Sequence, residues 1–160
     1  MTSTVDRLKE LLDYVDGHFV RKVSVQGSPK GKIVGNFRKG AYLYLVLDGK
    51  RILTHRAVFA FHNGYFPEFV DHIDGNKQNN RIENLRDVTK SQNGLNRSIH
   101  SNNKSGSKNV CWSRSKNSWV VKLNLNKTRI HLGFFEDFEF ADLVAQEARN
   151  LYHGQYARHI

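Results

Sequence analysis

The sequence predicts an α+β protein of two small units, each a short antiparallel sheet with a helix. Three observations predict it. Residues 69–95 read as strand, loop, strand and helix. Residues 108–135 hold three strand-like runs, and a helical pattern follows over about 138–152. Between them, His100 to Ser107 is polar and almost free of apolar residues, as linkers are. The first domain is therefore 1–100 and the second 101–160, with 101–107 as the linker.

Taken in order, Val5, Leu8, Leu11, Leu12 and Val15 share one face at helical spacing, which predicts an amphipathic helix over residues 5 to 15. His18 to Val23 reads as a strand, Gly27 to Gly31 as a turn and Lys32 to Phe37 as another strand. Tyr42, Tyr44 and Val46 then alternate with Leu43, Leu45 and Leu47 in a further strand. Asp48-Gly49 is a two-residue hairpin signal, and Arg51 to Leu53 returns. Thr54 is placed to cap a helix through His62, which Asn63-Gly64 ends.

The chemistry concentrates in the next stretch. Phe69 and Val70 deliver Asp71 and His72 side by side. A polar loop turns at Asp74-Gly75, and the run from Asn84 to Val88 comes back. Thr89-Lys90-Ser91-Gln92 is a capping box that starts a helix with Asn93 in its first turns. Asp71 and Asn93 offer a carboxylate and an amide oxygen, hard ligands suited to Mg²⁺ or Mn²⁺. A neutral imidazole at His72 can take a proton from an attacking water. Asn84 can brace the loop through bonds to backbone. Metal, base and phosphate together suggest phosphodiester hydrolysis.

The strings VDHIDGN, NNRIENLR and the following S-Q-N resemble the HNH nucleases. The version is the Asp-His…Asn…Asn form of phage homing endonucleases, with a ββα-metal fold. The resemblance implies Asp71 and Asn93 as metal ligands, His72 as general base and Asn84 as the loop-orienting residue. The last position is Asn rather than His, which weighs against zinc. The segment before VDHIDGN is also similar to these proteins, where a His-Arg pair starts a helix packed behind the metal motif. Here His55 and Arg56 either contact phosphate or fix that helix. Arg97 either holds the phosphate beside the metal or is a solvated helix end.

In the second domain the strand runs are Asn109 to Ser113, Trp119 to Asn124 and Arg129 to Phe135. Ala141, Val144, Ala145, Ala148, Leu151 and Tyr152 form the apolar face of its helix. Residues 101–132 carry seven Lys or Arg and no acid, and residues 133–147 carry five acids and no Lys or Arg. The sheet is thus the positive element. Trp119, Val121, Leu123, Ile130 and Leu132 should face the helix, leaving Val120, Lys122, Asn124, Arg129 and His131 outward. Those polar types suit phosphates and base edges.

This pattern resembles the AP2 DNA-binding domain across residues 105–157, from Ser-Gly-X-Lys-Asn-Val-X-Trp to Tyr-His-Gly-Gln-Tyr-Ala. The resemblance implies a sheet that enters the major groove. Lys108, Ser113, Lys122, Asn124, Arg129 and His131 fall at DNA-facing positions, with Trp112 and Arg114 adjacent. Trp112 and Trp119 also read as aromatic core.

A net charge of +10 and a pI near 9.9 favour a polyanionic partner. A single cysteine, Cys111, excludes a disulfide framework within the chain. No signal peptide or membrane span is visible, so a soluble intracellular protein is expected, in the bacterial host cytoplasm if phage-encoded. The reading is a divalent-metal-dependent DNA endonuclease of HNH homing type with an AP2-like recognition domain. The expected partner is double-stranded DNA, with no membrane and no small-molecule cofactor. A monomer would nick and a homodimer could cut both strands. The alternatives are a non-catalytic, sequence-specific DNA-binding protein with a vestigial nuclease domain, and an RNA-binding module.

Overall fold

The computed structural model describes residues 3–25, 27–35, 41–95, 99–125 and 128–157. It divides into two compact units, Met1–Thr89 and Lys90–Ile160. The division falls ahead of the polar stretch 101–107, so the strands of the expected strand–loop–strand–helix motif lie in one unit and its helix in the other.

The first unit begins with helix α1, Thr4–Leu11. Ser3 caps it: its Oγ accepts from the Asp6 N–H at 3.1 Å, and the Ser3 N–H donates back to the Asp6 carboxylate at 3.2 Å. The helix is shorter than its apolar spacing predicts. Leu12–Val15 is strand β1, paired antiparallel with β2, His18–Arg21. Asp16 (φ 46°) and Gly17 (φ 86°) supply the two left-handed residues of a tight hairpin, which takes Tyr14 and Val15 out of the helix. β2 also pairs with β3, Ile33–Val34, a shorter strand than expected. Asn36 and Phe37, its predicted end, lie outside the described residues.

Strands β4 (Tyr44–Leu47) and β5 (Lys50–Leu53) form the hairpin that Asp48-Gly49 signals, with both turn residues at positive φ. Leu43, Leu45 and Leu47 are buried while Val46 is exposed, so the alternation holds. Helix α2, Thr54–Asn63, follows at once. Thr54 is not its cap. Leu53 occupies the N-cap position without a side-chain bond, because β5 runs directly into the helix and leaves Thr54 already in the first turn. Gly64 ends α2 in the left-handed conformation. Ala57, Val58 and Phe59 join Leu8, Leu12, Phe19, Leu45, Leu47, Val70 and Leu85 in one core. Full burial of a side chain the size of Phe19 is worth about 2–3 kcal/mol. α2 contacts both strands of the hairpin β6 (Phe69–His72) and β7 (Leu85–Val88), and so backs the chemistry-bearing stretch.

In the second unit, α3 (Lys90–Leu95) begins directly after Thr89. Strands β8 (Val110–Ser113), β9 (Ser118–Leu125) and β10 (Thr128–Phe135) form an antiparallel sheet in the order β10-β9-β8, with α4 (Phe138–His153) packed on it. Asp137 caps α4 by accepting from the Phe140 N–H at 2.7 Å. The polar stretch ahead of β8 is tied down: the Ser105 hydroxyl donates to Val110 O at 2.7 Å, and Ser107 bonds Asp142 of α4. The predicted turn at Asn126-Lys127 lies outside the described residues.

Two expectations about faces are corrected. The last turns of α4 present Arg149 and His153 inward, and Leu151 is 77% exposed. The buried row follows i+4 spacing, Ala141, Ala145, Arg149 and His153, because Arg149 reaches the carbonyl of Lys108 at 2.7 Å. Val120, assigned outward, is only 3% exposed. It sits on the central strand, with Cys111 opposite it on β8 and Phe134 opposite it on β10. A bulge between His131 and Gly133 shifts the alternation, so Phe134 lies exposed on the outer face and Phe135 packs into the core.

Candidate active site

β6 carries Asp71 and His72 to the end of the hairpin, where Asp71 pairs with Arg86 and His72 with Leu85 across the ladder. Neighbouring strand residues point to opposite faces, and here both faces are covered, so both side chains are buried. Arg86 grips Asp71: its Nε and Nη2 donate to Oδ2 at 3.0 and 2.7 Å. Sequence reasoning did not single out Arg86. Only the register of the hairpin shows it opposite Asp71.

His72 is 3% exposed. Its Nε2 lies 3.1 Å from Oδ1 of Asn80, a side chain that is itself fully buried. With that carbonyl as acceptor, Nε2 carries the proton and the ring lone pair sits on Nδ1. Burial holds the imidazole below its ordinary pKa, and the Asn80 contact opposes this only in part. His72 is therefore neutral at pH 7. His55, on the first turn of α2, packs edge-on to His72 with centroids 5.0 Å apart. Burial first, and then the charges of His72 and Arg56, push its pKa down to about 3. Tyr42 covers both rings, 5.0 Å from His55 and 6.0 Å from His72.

The loop between the strands is a closed set of amide contacts. Asn84 Oδ1 accepts from the Asp74 N–H at 3.0 Å, and its Nδ2 donates to Asp74 at 2.9 Å and to Asn79 O at 2.8 Å. Asp74 also accepts from the Asn76 N–H and from Asn79, both at 2.7 Å. Burial raises the Asp74 pKa, but these bonds outweigh it and bring the value below the usual carboxylate range.

The other predicted residues are distributed as follows. Asn93 stands half-buried on α3, in the second unit, while Asp71 belongs to the first. Arg97 lies outside the described residues. Arg56 is half-buried and donates to Pro67 O at 3.0 Å, with its guanidinium over the Phe66 ring, so here it fixes the helix. Among the described residues, no three His, Cys, Asp or Glu side chains gather to hold a metal.

On the sheet of the second unit, Lys122 pairs with His131 and Asn124 with Arg129, and Arg129 donates to Asn124 Oδ1 at 3.4 Å. These four share the face opposite α4. Ser113 is half-buried within 3.3 Å of the Ser115 hydroxyl, Arg114 is exposed in the following turn, and Lys108 is half-buried ahead of β8. Trp112 does not belong with them. It pairs directly with Trp119 on the α4 side, edge to ring at 5.1 Å, and Trp119 in turn meets Phe138.

Residues 53–95, which run from the end of β5 through α3, match the family model described as HNH endonuclease. The chain is 30% identical over 106 residues to Protein 3.8 of Escherichia phage T7, an alignment covering 65% of this chain and 87% of that protein. No solved structure matches. No helix among the described residues is long and apolar enough to cross a membrane. The chain therefore belongs to one family with this phage protein, and it carries an HNH endonuclease domain at residues 53–95.

Proposed function

We propose that the chain is a divalent-metal-dependent DNA endonuclease of homing type, with the outer sheet face of the second unit recognising the site as an AP2-like domain does. The observation that carries the reading is His72: a buried, neutral imidazole beside a carboxylate, held through Nε2 by Asn80, inside the matched segment.

In this reading Nδ1 of His72 takes the proton of a water as its oxygen attacks phosphorus. The bond from phosphorus to the 3′ oxygen breaks, that oxygen takes a proton from solvent, and the products are 5′-phosphate and 3′-hydroxyl ends. Asn84 and Asn80 keep the loop and ring in place, so little reorganisation is needed at the moment of reaction. The donor chemistry fits Mg²⁺ or Mn²⁺: Asp71 offers a buried carboxylate and Asn93 an amide oxygen, both hard. When bound, such an ion supplies Lewis-acid stabilisation of the charge on the leaving oxygen.

One observation favours a second reading, a DNA binder that does not cut: Arg86 already occupies Oδ2 of Asp71 twice over. Incubating supercoiled plasmid with Mg²⁺ or Mn²⁺ separates the two. Wild type should nick, and His72→Ala should lose about 10²–10⁴-fold in rate. Equal cutting by the variant removes His72 from its role. Tight binding to one sequence with no cutting by wild type leaves the second reading standing.

A further inference from the structure

Several features of the first unit near His72 have no place in the chemistry above. His72 is nearly sealed, yet a base must meet its water and phosphate. On its outward side stands Tyr42, ring centroids 6.0 Å apart, a residue that remains 44% exposed. On that ring sits Lys77, its Nζ 5.1 Å from the centroid. Lys77 comes from the braced loop, is exposed, and forms no ion pair among the described residues. The other cations nearby are engaged. Arg86 is bound to Asp71, Arg81 to Asp16 at 2.8 Å, and Arg56 to the Pro67 carbonyl.

We propose that Tyr42 and Lys77 form the substrate-facing wall of the His72 site: Lys77 delivers its ammonium to a non-bridging oxygen of the phosphate beside His72, and Tyr42 carries the adjoining deoxyribose on its ring. This deepens the nuclease reading and rests on it. A cation resting on an exposed aromatic face is weakly held, whereas an ammonium-to-phosphate bond is charge-assisted and stronger. Arrival of a phosphate therefore draws Lys77 off the ring. The freed face of Tyr42 is apolar and flat, suited to a sugar edge. Both side chains are thus ligand-facing in the bound state and cover the base in the free state. The length of the lysine stem gives the ammonium the reach for this transfer.

The test uses the full chain and a short duplex, in four forms: wild type, Lys77→Met, Tyr42→Ala and Tyr42→Phe. Lys50→Met, an exposed lysine on the β4–β5 hairpin, is the control. Lys77→Met should lower kcat/KM for nicking by about 10–100-fold. It should also flatten the plot of log affinity against log salt by about one unit in metal-free buffer, where no cutting occurs. Tyr42→Ala should raise KM several-fold, and Tyr42→Phe should restore it, since the ring and not the hydroxyl makes the contact. Matched thermal melting of Lys77→Met and wild type guards against a folding defect. If Lys77→Met behaves like Lys50→Met in both assays, the proposal falls. If wild type itself fails to cut, the nuclease reading falls, and the salt slope alone still decides whether Lys77 touches a phosphate.

Discussion

Arg86 places two donors on one oxygen of Asp71, Nε at 3.0 Å and Nη2 at 2.7 Å, across directly opposed positions of the β6–β7 hairpin. The side chains are 14% and 9% exposed, so the pair is largely out of water. Removing one partner strands the other. Arg86→Ala should destabilise the first unit by about 3–5 kcal/mol. Arg86→Lys should recover only part of this, because an ammonium cannot present two fixed donors. Urea unfolding of the full chain, followed by circular dichroism, measures both. A loss below about 1 kcal/mol for Arg86→Ala would show that the carboxylate finds water or another partner.

The buried histidines make stability depend on pH. His55 is pushed to about 3, and burial lowers His72 and His153 as well. A depressed histidine binds its proton less readily folded than unfolded. Its contribution is complete above about pH 6.5 and is lost as pH falls from there towards the folded value. For His55 the window is about 6.5 down to about 3, at about 1.4 kcal/mol per pH unit. Melting temperature should drop steadily between pH 7 and 4, and His55→Phe should shrink that drop. An unchanged slope in the variant refutes the assignment.

Asn84 bonds the loop at three points, Asp74 N–H, Asp74 carboxylate and Asn79 carbonyl. Asn84→Ala should release them together. Amide hydrogen exchange at Asp74 should quicken by at least tenfold, and nicking should slow by about 10–100-fold, the usual effect of losing a group that orients a reacting one. Faster cutting, or unchanged exchange, contradicts the bracing role.

Gly133 sits at the bulge with φ 145°, and a Cβ there would lie 3.0 Å from the Phe135 ring. Gly133→Ala should cost about 1–3 kcal/mol. It should also turn Phe134 away from the outer face, which the near-ultraviolet circular dichroism of the aromatic cluster reports. A variant as stable as wild type means the bulge is not required.

Arg129→Ala should weaken duplex binding and reduce the salt slope by about one while leaving the rate at saturating DNA unchanged. Unaltered affinity at every salt concentration removes the outer sheet face from DNA recognition.

The secondary elements were largely legible because their signals are local. Asp48-Gly49, Asn63-Gly64 and the alternation of Leu43, Leu45 and Leu47 each act within a few residues. Where reading failed, longer-range facts decided. Val15 left its helix because a partner strand was waiting at His18. Thr54 lost its capping role because β5 runs on without a break. In the site, Asp71, His72 and Asn84 stood out by residue type and spacing. Arg86, Asn80 and Tyr42 did not, since none of them carries a mark in the sequence of the distant side chain it meets. Arg56 and Trp112 have chemistry suited to nucleic acid, and their contacts with the Pro67 carbonyl and with Trp119 are visible only in the tertiary structure.

The closed ring of amides around Asp74 has a further result. Because Asn76, Asn79 and Asn84 all converge on one carboxylate, the loop keeps its shape whatever side chains hang on its rim. Lys77, on that rim, can then be replaced, so substrate handling can be retuned there with the imidazole beneath undisturbed, whereas Gly75 is held to glycine by its φ of 72°. Chain length is the one property such a scaffold cannot vary, and a single inserted residue between Asp74 and Asn79 should silence the site more surely than most replacements.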